Sequence, residues 1–187
     1  MNQQPNLSLV TKSYLSRFYE IVDNMMQSMD QAQLTDSISQ NFIVQMIPHH
    51  EAAVQMAHNL LQYTTCIPLQ NIALQIIEEQ TKGIHELEAA LESCSQPPSN
   101  PADLTLYRRQ YSHIAQRMFC AMEQACISNQ VDANFIREMI PHHRGSIQMA
   151  ENALRFSPCP PLVPILRSII CTQQEGLRQM ERLLCCL

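Results

Sequence analysis

Two histidines stand side by side at His49 and His50 in the stretch MIPHH, and the same five letters return 93 residues later, ending in His142 and His143. Adjacent imidazoles are candidate metal ligands, because a ring nitrogen offers a lone pair near neutral pH. A thioether precedes each pair by three residues, at Met46 and Met139, and another follows at Met56 and Met149. Imidazole with thioether suits copper, particularly copper(I), better than magnesium or calcium, which take oxygen. The candidate metal ligands are therefore His49, His50, His142, His143, Met46, Met139, Met56 and Met149. The bland reading stands beside this one, since methionine is also ordinary core filler and the chain has 11 of them.

The elements that position these residues come in two copies. A shift of 93 places Tyr14 on Tyr107, Met25 on Met118, Phe42 on Phe135, Cys66 on Cys159, Gln80 on Gln173 and Gly83 on Gly176 without a gap. Between 42–63 and 135–156, 12 of 22 positions are identical, which defines two units of one type. The units are 1–94 and 107–187, joined by the Pro-rich stretch 95–106, SQPPSNPADLTL. A unit of this size with few aromatic residues is marginal alone, so the two are expected to fuse into one domain.

Each unit reads as three helices. The first carries Tyr14, Phe18, Ile21, Met25 and Met29 on one stripe, repeated as Tyr107, Tyr111, Ile114, Met118 and Met122. The second begins near Thr35-Asp36-Ser37, or at Asp132, and carries the histidines to about Tyr63 or Phe156. The third follows Ile67-Pro68 or Pro160-Pro161. Short loops make the second and third helices an antiparallel hairpin, and two hairpins are the parts of a four-helix bundle with one additional helix per unit.

Helical spacing puts Phe42, Met46, His49, Ala53, Met56 and Leu60 on a single seam, with His50 turned about 100° to its edge. Pro48 has two readings. It starts a helix at the first position, or it kinks a continuous one; the unbroken apolar pattern through Phe42 and Met46 favours the kink. His58, His85 and His113 have no histidine at their repeat partners and read as surface residues.

Composition sets the outer limits. With 3 Gly, no Trp and 5% aromatic residues, the chain is all-α. Twelve basic residues and a net charge of −5 do not supply a nucleic-acid surface. No apolar run reaches the length of a membrane span, and the start MNQQPNLSLVTK lacks the layout of a signal peptide. A cytoplasmic protein is expected as written, an exported one if a leader was removed. Eight cysteines without a C-x-x-C pair suggest reduced thiols, with Cys66 and Cys159 set apart only by their equivalent places.

The pattern F-x-x-x-M-I-P-H-H-x-x-x-(V/I)-x-M-A, at Phe42 to Ala57 and Phe135 to Ala150, resembles the family called domain of unknown function 305. So does the I-I-x-x-Q signature at Ile76 to Gln80 and Ile169 to Gln173. The resemblance implies a ferritin-like helical bundle and, for some members, association with copper. It departs at Gly83 and Gly176, where members place a Glu three residues after the signature Gln. The favoured function is transition-metal binding, copper first, rather than catalysis. The alternative is a structural or partner-binding module, a homo-oligomer included, whose histidines and glutamines satisfy one another. A di-iron oxidoreductase ranks last, because Glu-x-x-His motifs are missing from the sequence.

Overall fold

The computed structural model describes residues 6–94 and 98–186. Six helices account for most of them: α1 Leu9–Asp30, α2 Ile38–Leu61, α3 Ile67–Ser93, α4 Pro101–Glu123, α5 Val131–Leu154 and α6 Leu162–Leu184. No strand occurs among the described residues. The bounds of α5 are those of α2 advanced by the 93-residue shift. Helix α4 begins at Pro101, so the second half of the stretch 95–106 is helical, while 95–97 lies outside the described residues.

Local chemistry explains the starts. Ser8 and Ser37 cap α1 and α2 by accepting from the backbone N–H of Thr11 and Gln40, and Asn100 caps α4 through Ala102. Proline occupies the first turn of α3 and α4, where its missing N–H costs nothing. The entry to each histidine helix is clamped in the same way. Asn41 accepts from Thr35 N at 2.7 Å and donates to Thr35 O at 3.0 Å; Asn134 does so with Ser128 at 2.9 and 2.8 Å.

Helix α2 packs against α1, α3 and α5, while α5 packs against α4, α6 and α2; α3 and α6 close the remaining side. The two histidine helices thus meet directly, with α1 and α4 outside them. Asn59 donates to Tyr14 O and Asn152 to Tyr107 O, fastening each outer helix to its neighbour by the same bond. The stripe residues Tyr14, Phe18, Ile21, Met25 and Met29 are buried, as are Tyr107, Tyr111, Met118 and Met122, in one continuous core across both units.

Helices α2 and α5 run unbroken through Pro48 and Pro141, which sets aside the reading of Pro48 as a helix start. The expectation of reduced thiols is corrected at one pair: Cys94, at the end of α3, is disulfide-bonded to Cys159, ahead of α6. Their Cα atoms lie 5.8 Å apart because the closing of α3 on α6 brings these two ends together. Cys66, the repeat partner of Cys159, is free and half-buried.

Candidate metal centre

The contact of α2 with α5 places His49 and His142 face to face. Their ring centroids are 3.7 Å apart with an interplanar angle of 23°. His50 lies 6.1 Å from His49, and His143 lies 6.0 Å from His142. All four side chains are buried, including His50 and His143, which helical spacing had put at the edge of the seam. The reason is glycine. A Cβ built on Gly83 of α3 would sit 2.9 Å from His50 Cδ2, and one on Gly176 of α6 would sit 3.0 Å from His143 Nε2. Each imidazole fills the place of a missing side chain, so the two glycines cover His50 and His143 with backbone.

These rings are poorly satisfied. The Nδ1 atoms of His49, His50, His142 and His143 and the Nε2 of His142 are buried without a hydrogen-bond partner. Leaving such a group unpaired costs on the order of 1 to 3 kcal/mol. Gln80 and Gln173 are buried as well, and their amide oxygens are also unpartnered. The Nδ1 atoms of the four histidines and the amide oxygens of Gln80 and Gln173 thus do not satisfy one another.

Burial sets the charge state. His49 and His142 are held well below the usual imidazole range by desolvation first and by the surrounding imidazoles second. Desolvation, with His143 adding to it, pushes His50 down to about 3, and desolvation pushes His143 down to about 4. Four neutral imidazoles keep their lone pairs available, which is the state a metal ligand needs.

The thioethers are less simply arranged. Met46, Met139, Met56 and Met149 are fully buried on the predicted seam. Met46 Sδ accepts from Ser146 Oγ at 3.7 Å. The sulfur within hydrogen-bonding distance of an imidazole belongs instead to Met118 of the outer helix α4, 3.4 Å from His49 Nε2. Gly145 makes this reach possible, because a Cβ there would collide with Met118 Sδ and Cγ. Its repeat partner is Ala52, which carries that Cβ, and on that side His142 Nε2 has no partner. Met118 had been legible only as core, and the exchange of Ala52 for Gly145 was the available signal.

Glu138 was missed too. It is the one buried carboxylate among the described residues, on α5 where α2 has Gln45. Tyr14 donates to Glu138 Oε2 at 3.0 Å, and desolvation pushes the carboxyl up to about 8 despite that bond. Among the described residues, no group of three or more His, Cys, Asp or Glu stands in an arrangement that could hold a metal ion. His58, His85 and His113 are exposed, as expected.

No curated protein matches the chain. Among solved structures, a DUF305 fragment from Deinococcus radiodurans superposes with a TM-score of 0.60 at 26% identity, covering 80% of this chain and 97% of that one. CopM in an Ag-bound form, obtained by soaking, gives 0.57 at 31% identity, covering 80% and 94%. CopM in the Cu(II)-bound form gives 0.58 at 26%, covering 78% and 95%. The family profile described as a domain of unknown function, DUF305, matches residues 19–91 and 39–184, and the chain belongs to that family.

Proposed function

We propose that the protein binds a soft transition-metal ion, copper before others, through the imidazoles that α2 and α5 bring together, within a ferritin-like four-helix bundle formed by α2, α3, α5 and α6. The observation that carries this reading is the stacked pair His49 and His142, 3.7 Å apart, neutral, and with three of its four ring nitrogens unpartnered. Buried polar groups are as a rule satisfied, by protein, by ordered water or by an ion, and a metal ion is the partner that suits several neutral imidazoles at once. His50 and His143 extend the set, and Met118 adds a sulfur next to His49. Met46, Met139, Met56 and Met149 line the same seam as further thioether donors. The donor set is nitrogen and sulfur, which favours copper(I) over oxygen-seeking ions. The similarity to CopM, described in Ag-bound and Cu(II)-bound forms, supports the same choice.

Di-iron chemistry gains no support. Such centres need several inward carboxylates, and the buried set contains Glu138 alone among the described residues.

Anaerobic titration of the chain with copper(I), with copper(II), zinc and iron(II) as comparisons, followed by metal analysis after desalting, tests the proposal. Copper(I) retention by the parent and its loss in the double variant His49→Ala, His142→Ala is the expected result. Equal retention by that variant, or none by the parent, overturns it.

A further inference from the structure

A cleft of about 430 Å3 runs between α3 and α6, and His50 is among its lining residues. Gln80 and Gln173, each 2% exposed, lie at its floor with their amide oxygens buried and unpartnered. These two residues are repeat partners, so the floor is built from the same position of both units. Unsatisfied carbonyl oxygens at this depth cost on the order of 1 to 3 kcal/mol each, and their dipoles attract a passing cation without holding a soft one, which prefers nitrogen and sulfur.

The mouth of the cleft is acidic. Glu78, Glu79 and Glu86 line it, against the single cation Lys82, whose ammonium lies 3.5 Å from Glu86. Glu175 of α6 adds to the negative field at Glu79. A concave surface lined by one sign of charge raises the local concentration of the opposite ion and its rate of arrival.

At the inner end stands Gly83. Because it has no Cβ, the His50 ring rests directly against the α3 backbone, and an added Cβ would sit 2.9 Å from His50 Cδ2 and 3.1 Å from its Nε2. Any larger residue would occupy the space between the cleft and the imidazole. Exposure thus falls from the carboxylates, which are exposed or half-buried, to the amide oxygens and the imidazole, which are buried together.

We infer that the cleft between α3 and α6 is the entrance by which a metal cation reaches the buried imidazoles, gathered by Glu78, Glu79 and Glu86 and passed by Gln80 and Gln173 to His50. This rests on the metal-binding function proposed above. It separates two roles: the carboxylates govern how fast the ion arrives, and the imidazoles govern whether it stays.

The experiment measures loading rate and final stoichiometry on the full chain. Parent and variants are mixed with copper(I) without oxygen, quenched at intervals with excess chelator, desalted and analysed for metal. The triple variant Glu78→Gln, Glu79→Gln, Glu86→Gln is expected to load about tenfold more slowly at low salt, with the difference shrinking as salt is added. Its final metal content should equal the parent's. A charge-matched control, Glu20→Gln, Glu92→Gln, Glu123→Gln, should load at the parent's rate, since these carboxylates are exposed elsewhere on the chain. Equal slowing of the control, or a parent-like rate in the cleft variant, overturns the entrance while leaving the binding site intact. Reduced final content in the cleft variant also overturns it, because the carboxylates would then be ligands. A parent that retains no copper removes both proposals.

Discussion

The imidazoles of His49 and His142 stack 3.7 Å apart across the contact of α2 with α5, each contributed by a different half of the chain. Burial first, and the neighbouring imidazoles after it, oppose protonation of either ring. A second charge would face the first across the stack, and both would be far from water. The interface of the two units is therefore tied to the protonation state of its histidines.

Stability of the metal-free protein should fall steeply on acidification. All four imidazoles have folded values below their ordinary value of 6.5, with His50 near 3 and His143 near 4. A depressed histidine contributes stability that is fully present above the unfolded value and lost as pH falls below it, because the unfolded chain takes up protons that the folded chain refuses. Each such group costs about 1.4 kcal/mol per pH unit within that window. Urea midpoints measured between pH 7 and pH 4 should drop continuously from about 6.5 downward; a flat profile would show that the rings titrate freely.

Glu138 should act in the opposite direction at higher pH. Its carboxyl is raised from 4.5 to about 8, so the stability it contributes is complete below 4.5 and lost as pH rises through 8. Glu138→Gln, which copies Gln45 of the other unit, removes the ionisation. At pH 9 the variant should be more stable than the parent by a few kcal/mol, and that advantage should shrink towards pH 5. Chemical denaturation of both proteins at the two pH values decides this, and an advantage that is the same at both refutes it.

Gly83→Ala should destabilise, against the rule for mid-helix glycine. In an open helix the change gains about 1 kcal/mol. Here the new Cβ meets the His50 ring at 2.9 Å, and overpacking of that kind costs about 1 to 3 kcal/mol. A lowered melting temperature is the expected outcome, and a raised one would mean that the ring moves aside without cost.

The Cys94 to Cys159 bridge closes a sequence separation of 65, for which chain entropy gives roughly 4 kcal/mol. Cys94→Ser should lower the melting temperature by several degrees, and dithiothreitol should lower the parent but leave the variant unchanged. Thiol titration of the denatured parent should count six free groups, in keeping with the six unpaired cysteines. A count of eight would exclude the bridge.

The helical character and the inward placing of His49 and His142 were legible because they rest on local and periodic information. An apolar residue every three or four positions fixes the buried face of α2, and the copied letters carry that face to α5. The burial of His50 was not legible in this way. Its spacing puts it at the seam's edge, and only the approach of Gly83 from α3 covers it. The same holds for Met118, which reaches His49 past Gly145, and for Glu138, which lies against Tyr14 of the other unit.

What the sequence determined by itself was the inventory: six helices, a duplicated pair of imidazoles, a supply of thioethers and two glycines 93 residues apart. What the tertiary structure alone decided was the meeting of the two halves. Stacking of His49 on His142, the bridge from Cys94 to Cys159, and the cleft floored by Gln80 and Gln173 all join residues far apart in the chain. Periodicity says which face of a helix is buried, but not which partner buries it, because that depends on how α2 docks on α5 and α3 on α6.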